Sequence, residues 1–400
     1  MIPVSEALER ILSHFQPLGG EMVGVGEALG RVLATDVVAR VTQPPAAVSA
    51  MDGWAVRGAD IAALPATLTR IGEAPAGRPY AGTVGPGQAV RLFTGSVMPA
   101  GADTVVLQED CDDLGGEVRV REGTPGRWVR AAGLDFTAGS VGLRAGRRLT
   151  VRDVALAAAM NHPFLTVRRQ PRIAILATGD EVVMPGEPLG PGQIVSSNGL
   201  ALAALVRRHG GIPVNLGIAP DNADALATLS QGAAGTDLLV TTGGASVGEY
   251  DLVRKVLDAQ GLVLDFWKIA MRPGKPLMFG RMGATPVLGL PGNPVSSLVC
   301  ATLFLVPVLR RLQGLEPAVR PTARAVLAAP LPANDRRQDY LRATLAPGEG
   351  GGPPLAAPFR QQDSSMLSRL AAADCLIIRA PHAPAAVAGD GVDILPLDDI

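Results

Sequence analysis

Between residues 172 and 313 the chain repeats one pattern: a short, continuously apolar run, then a polar glycine-rich turn, and in the early repeats a stretch with helical period. The apolar runs fall at 173–177, 213–218, 238–241, 263–269 and 286–290, and the helical patterns at 199–208, 222–231, 250–258 and 295–312. Runs that are apolar without alternation predict strands buried on both faces, and intervening helices supply the crossovers that parallel strands require. The expected fold is therefore α/β and multidomain, with a central doubly wound, mainly parallel sheet. Ligands of such sheets bind outside the carboxyl ends of the strands. Five polar turns stand there: TGDE (178–181), APDN (219–222), TGGASVGEYD (242–251), AMRPGK (270–275) and LPGNP (290–294).

The third turn belongs to TDLLVTTGGASVGEYDLVRK (236–255), a strand-turn-helix unit of the kind that offers backbone N–H groups to an anion. Gly243, Gly244 and Gly248 allow close approach to a ligand, Ser246 adds a hydroxyl, and Glu249 and Asp251 add carboxylates. Together with Asp180, Glu181 and Asp221 these are oxygen donors suited to Mg²⁺, which bridges protein carboxylates and substrate phosphates. Asp221 fits equally well as the cap of the following helix. Lys268, Arg272 and Lys275 stand in FWKIAMRPGKP, where an arginine fork and compact ammonium groups suit a phosphate or tetrahedral oxyanion.

Several classes are excluded. Neither GxxxxGK[ST] nor GxGxxG after the first strand occurs, so P-loop and dinucleotide sites lack support. The net charge of −1, with no dense basic run, argues against nucleic acid and anionic membrane as partners. Cys111, Cys300 and Cys375 are odd in number and far apart, as expected in a reducing cytoplasm. With four scattered histidines they support neither a zinc site nor a Ser-His-Asp triad. The start, MIPVSEALERIL, lacks a basic n-region, and the apolar run 295–309 is broken by two serines, as in a core helix rather than a membrane span.

A chain of 400 residues predicts several domains. Residues 3–15 form an amphipathic helix that needs a partner surface. Short β-type runs at 89–93, 104–108 and 118–121, separated by Gly/Pro turns, predict a small β domain over 51–140 that starts at the polar cluster MDGWAVRGAD. It would be inserted into a discontinuous domain of 1–50 plus 141–170. The α/β domain then spans 171–316, and a C-terminal β domain spans 317–400.

The motifs MDGWAVR, FTGSVMPAGADTVV, ATGDE, TTGGASVGEYD, FWKIAMRPGKP and LPGNPVSSL, in this order, resemble the molybdopterin molybdenumtransferase family, which includes MoeA and the gephyrin E domain. The resemblance covers nearly the whole chain. It implies the last step of molybdenum cofactor synthesis, in which adenylylated molybdopterin and molybdate give molybdenum cofactor and AMP with Mg²⁺. It also implies an elongated homodimer, with a cleft shared between subunits and the first domain mediating dimerisation. The molybdopterin adenylyltransferase and molybdoenzyme chaperones are the protein partners it suggests. By motif, Asp52, Thr94, Asp135, Glu181, Asp251, Lys268, Arg272 and Lys275 resemble the reactive positions, and Glu181, Asp221 and Asp251 the metal ligands. Thr178, Gly179, Asp180, Gly243, Gly244, Ser246, Gly248, Pro291, Gly292 and Asn293 would cradle the substrate, with Arg342 and Ser364 or Ser365 contributed from the C-terminal domain. Arg272 stands where the family often has Lys, and Trp54 where Tyr or Phe is common. Two rival readings are an adenylyltransferase, whose single domain resembles residues 172–313, and a non-catalytic scaffold like gephyrin.

Overall fold

The computed structural model describes residues 1–243, 252–259, 261–316 and 323–398. It comprises two compact units, a larger one of Met1–Glu21, Gly30–Ala34 and Val167–Ile400 and a smaller one of Met22–Leu29 and Thr35–Thr166.

The larger unit is built on helix α1 (Val4–Ser13), strand β1 (Arg172–Thr178), α2 (Asn198–Arg208), β2 (Ile212–Ala219), α3 (Ala223–Gln231), β3 (Leu238–Thr242), α4 (Leu252–Ala259), β4 (Leu262–Trp267), β5 (Met278–Met282), β6 (Thr285–Leu290) and α5 (Pro294–Leu312). The sheet order is β2-β1-β3-β6-β5-β4. β1 pairs in parallel with β2 and β3, and β3 with β6, whereas β5 runs antiparallel to both its neighbours. The continuous apolar runs have the expected cause. Ile173 and Ile175 of β1 pack with α1, α2 and α5, while Ala174 and Leu176 face Leu226 of α3 and Leu257 of α4. Each such residue taken fully out of water contributes about 1.5–3 kcal/mol.

β5 was not expected from the sequence. Its segment, MFGRM, carries a glycine and an arginine and does not stand out as a continuously apolar run. Pairing on both sides makes it a strand, and Gly283, with φ +58°, turns it into β6. The partner surface of α1 is this same core, where Ala7 and Ile11 are buried and Phe15 lies against Phe279. α5 is long and apolar enough to cross a membrane, but 83% of its apolar window is buried inside the protein. Residues Ala301–Leu305 widen into a π turn just before Pro307, whose missing N–H and bulky ring interrupt regular α bonding.

The rest of the larger unit is a closed β ring. β7 (Ala323–Leu327), β8 (Gln338–Ala346), β9 (Leu355–Pro358), β10 (Cys375–Arg379) and β11 (Gly391–Pro396) run in the order β8-β9-β7-β11-β10, and β10 pairs back onto β8. Met271–Arg272 adds to this ring by pairing in parallel with Gln338 and Asp339.

The smaller unit holds a six-stranded sheet in the order Thr104–Leu107, Gly53–Val56, Gln88–Leu92, Ala66–Ala74, Glu117–Val120, Cys111–Asp113. The MDGWAVR stretch, read above as a polar cluster, is half strand: Gly53–Val56 is buried throughout, with Trp54 2% exposed. Central position explains this, because both neighbours bond to the strand. Gly53 is obligatory, since a Cβ there would lie 1.9 Å from the Val106 carbonyl oxygen.

Gly53→Ala should therefore destabilise the chain by roughly 2–4 kcal/mol through overpacking against backbone. Gly116→Ala, where a Cβ meets nothing within 4 Å, should change stability by under about 0.5 kcal/mol. Urea denaturation of the two variants checks the contrast.

Candidate functional site

The carboxyl ends of β1, β3 and β6 open onto a cleft of 790 Å³ within the larger unit, a size typical of small-molecule sites. Thr178 and Glu181 come from the end of β1, Thr242 and Gly243 from β3, Pro291 to Pro294 from the β6–α5 turn, and Arg272 to Lys275 from the loop preceding β5. The opposite wall is supplied by the β ring through Arg337, Gln362, Ser364 and Ser365.

Close backbone packing forms the floor. Gly243 has φ +100°, and a Cβ on it would lie 2.4 Å from the Thr178 carbonyl oxygen, so only glycine fits. Asn198, the first residue of α2, ties the floor together. Its Nδ2 donates to Thr242 Oγ1 at 2.9 Å and to the Gly292 carbonyl at 2.7 Å. Since a carbonyl can only accept, these bonds fix which way the amide faces. Among the described residues Asn198 Oδ1 and Thr178 Oγ1 have no hydrogen-bond partner. Buried polar atoms are rarely unpaired, so a cleft lined by two residues with orphaned oxygens is suited to a polar ligand. The N-termini of α2 and α5 both border the cleft and add partial positive charge.

Charge is unevenly distributed. Among the described residues lining the cleft, Glu181 is the single acid, while Arg272, Lys275 and Arg337 are basic. Arg272 is already engaged: Nε bonds both oxygens of Asp339 at 3.0 and 3.1 Å, Nη2 also bonds Asp339, and Nη1 lies 3.6 Å from Asp335. Lys275 has no ion-pair partner among the described residues and is the cation most available to a ligand.

Other expected residues lie elsewhere. Lys268 does not line the cleft; its Nζ sits 3.7 Å over the Trp267 ring. Arg342, expected to touch substrate, is 1% exposed. Its Nε donates to Gln362 Oε1 at 3.2 Å and its Nη1 to the Met366 carbonyl, so it braces the segment carrying Ser364. Burial disfavours its charge and lowers its pKa. Ser364 accepts from Asn293 Nδ2 at 2.9 Å and its carbonyl from Val295 N–H, which fastens that segment to the start of α5. Gly179, Asp180 and Asp221 lie beside the cleft rather than in its wall, with the Asp221 N–H donating to Asp180 Oδ1 at 2.8 Å. Gly244, Ser246, Gly248, Glu249 and Asp251 fall outside the described residues. In the smaller unit, Asp52 Oδ1 accepts both the backbone N–H and the hydroxyl of Thr94, at 2.7 and 2.8 Å, which lowers its pKa. Asp135 is exposed in the same unit, its N–H bonded to the Gln43 carbonyl. Sequence reasoning overlooked Ser196, Ser197, Asn198, Gln362 and Arg337. The SSN run before a helical pattern was a readable N-cap signal for the first three.

Residues 2–161 match the MoeA N-terminal region (domain I and II), residues 174–311 a probable molybdopterin binding domain, and residues 324–397 the MoeA C-terminal region (domain IV). A Nostoc sp. protein named molybdopterin molybdenumtransferase is 41% identical over 335 residues, covering 81% of this chain and 77% of the relative. The chain belongs to the molybdopterin molybdenumtransferase family. A Haemophilus influenzae protein of the same name is 32% identical over 405 residues, with all of both chains covered. The crystal structure of a MoeA protein from Pyrococcus horikoshii superposes with a TM-score of 0.86 at 32% identity, covering 99% of each chain.

The family resemblance implies Mg²⁺, and the local electrostatics fit such an ion. Among the described residues no three acids, histidines or cysteines are grouped closely enough to hold a metal alone. Asp221 nonetheless has a raised pKa, chiefly from desolvation and then from the charges of Asp180 and Glu181. A folded pKa above the unfolded value means that ionised Asp221 destabilises the fold, and that this penalty fades as pH falls through the folded pKa. A divalent cation near these acids would offset it at neutral pH. Asp221→Asn should raise the melting temperature at pH 7 without Mg²⁺ and shrink the further rise that Mg²⁺ produces in wild type. Thermal unfolding with and without Mg²⁺ checks both.

Proposed function

We propose that the cleft binds adenylylated molybdopterin and molybdate, and that the chain inserts molybdenum into molybdopterin with release of AMP. The observation that carries this reading is the meeting of three strand tips and the β ring around one cleft, lined by Glu181 and by the basic Arg272, Lys275 and Arg337, in a chain whose full length matches molybdenumtransferases. Transferase activity of this kind is what the curated relatives are named for, from Nostoc sp. to Bacillus subtilis. An adenylyltransferase is not favoured, because the matching regions extend well beyond the α/β domain at both ends. A scaffold without activity leaves without a purpose two oxygens and a lysine, Lys275, that have no partner among the described residues.

In this reading Lys275 and the N-terminus of α5 hold the oxyanion, and the Gly243 and Gly292 turns admit the phosphates against the backbone. Thr178 Oγ1 and Asn198 Oδ1 hydrogen-bond the bound pterin or nucleotide. Glu181 and Asp221, joined by Asp251, would hold Mg²⁺. That ion would offset the charge of the substrate's diphosphate. Water must be kept from the phosphoanhydride bond of the diphosphate until molybdate arrives, and the two-walled cleft provides that shelter. Asp52, Thr94 and Asp135 complete the site from a second subunit of a homodimer, in the cytoplasm. The four-domain division is kept as part of this reading, supported by the three separate matches. Contacts with the adenylyltransferase and with molybdoenzyme chaperones would hand the intermediate in and the product out.

Adding molybdate to the protein with adenylylated molybdopterin and Mg²⁺ should release AMP. Lys275→Ala should lower kcat/KM for molybdate about 10- to 100-fold, the usual effect of losing a charged contact. Absence of AMP release from the wild type would reject the reading.

A further inference from the structure

Lys275 projects from a loop that the fold ties down from behind. The Lys268 N–H donates to the Leu277 carbonyl at 3.0 Å and the Ile269 N–H to the Lys275 carbonyl at 3.1 Å, which closes the base of the loop. Nearer its tip, the Gly274 carbonyl accepts from Cys300 Sγ at 3.7 Å, with both groups buried. Cys300 stands on α5, the helix whose N-terminus borders the same cleft, and is 0% exposed. Burial pushes its thiol above the ordinary range, so the sulfur keeps its proton, and since a carbonyl only accepts, the thiol is the donor. The fit is tight: Gly274 has φ +113°, and a Cβ on it would lie 2.4 Å from Cys300 Sγ.

The orientation of one peptide follows from this contact. Gly274–Lys275 is trans, and in a planar trans peptide the C=O and N–H point in opposite directions. A Gly274 carbonyl held on Cys300 therefore turns the Lys275 N–H away from the core. Pro276 comes next, and its ring keeps the Lys275 backbone out of the helical region. The direction in which the Lys275 side chain leaves the loop is thus set by one peptide plane and one proline. We propose that Cys300 is a positioning residue for the cleft, whose thiol locks the Gly274–Lys275 peptide and so aims the Lys275 ammonium. The proposal rests on the reading of Lys275 given above and adds to it a residue that never touches the ligand.

A sulfur that merely fills space makes a different forecast. Cys300 belongs to a core cluster with Met271, Val299 and Phe304, so either Cys300→Ala or Cys300→Ser should lower stability, the first by leaving a void and the second by burying a more polar group. In that case neither changes binding. If the thiol orients the peptide, a donor at this position is what matters: serine keeps one, and alanine and valine do not.

Equilibrium dialysis of molybdate against the full chain, with thermal unfolding of each variant, separates the two. Cys300→Ala should bind molybdate about 3- to 10-fold more weakly than wild type, the effect of losing one hydrogen bond behind the site. Cys300→Val, which keeps the bulk without the donor, should weaken binding similarly and guards against a loss caused only by a cavity. Cys300→Ser should stay within about twofold of wild type even though its melting temperature falls. In turnover, Cys300→Ala should raise KM for molybdate with kcat changed less than about twofold. Wild-type affinity in both donor-free variants, where Lys275→Ala does bind more weakly, overturns this inference alone. Wild-type affinity in Lys275→Ala overturns the reading of the lysine and this inference with it. Binding by Cys300→Ser as weak as by Cys300→Ala overturns the role of the hydrogen bond.

Discussion

The cleft has walls from two different sheets, and the contact between Arg272 and Asp339 holds them in register. Met271–Arg272 leaves the α/β sheet and pairs with the first residues of β8, and the Arg272 guanidinium lies along the carboxylate of Asp339, whose side chain is only 5% exposed. A carboxylate that buried, if left unpaired, costs several kcal/mol, so the wall cannot open without a replacement partner. Arg272 itself is 47% exposed, which reduces the net value of the pair. Its importance is geometric: a planar fork matches two carboxylate oxygens, and lysine does not. The arginine at a position where the family often has lysine therefore has a structural partner in this chain, and Lys275, with no ion-pair partner among the described residues, is the cation most available to a ligand.

Across the floor, the analogous constraint is Asn198. Two N–H bonds from one amide join the start of α2 to the ends of β3 and β6, and Thr242 adds a bond from its hydroxyl to the Pro291 carbonyl at 3.3 Å. Gly243 and Gly292 can then sit close together, with a Cβ built on Gly292 only 3.5 Å from the Gly243 Cα. Gly243 and Gly292 themselves lie outside any helix or strand. A side-chain amide that is itself placed by a helix gives the loops the rigidity that a ligand site needs.

The central sheet was legible because its cause is local. A strand covered on both faces must be apolar at nearly every position, and runs such as IAILA and LLV before Gly-rich turns announce themselves. The convergence of Thr178, Gly243, Lys275 and Asn293 followed from topology once the strands were assigned. What was not legible depends on partners distant in sequence. β5 is a strand only because β4 and β6 flank it, and Gly53–Val56 is buried only because two neighbours enclose it. Arg342 reads like an available cation, yet Gln362 and Met366 surround it; Lys268 reads like another, yet its Nζ sits over Trp267. Arg337 was passed over because an arginine in DRRQDY looks like solvated charge until the β ring turns it to the cleft.

The separation of charge within the site follows from these constraints. Acids gather beyond the end of β1, where desolvation and then the charges of Asp180 and Glu181 raise the cost of ionising Asp221, and the basic residues lining the cleft are Arg272, Lys275 and Arg337. Two like-charged groups brought together in free side chains would simply move apart. Here Asp221 cannot withdraw easily, because its own N–H is bonded to Asp180, and Arg272 and Arg337 cannot, because each is held by a carboxylate of the β ring. The fold thus maintains an arrangement that is unfavourable for the unliganded protein at the acidic end and nearly neutral at the basic end. A ligand that brings a cation to the first and an oxyanion to the second is stabilised by both, and one that supplies a single charge leaves the other end uncompensated.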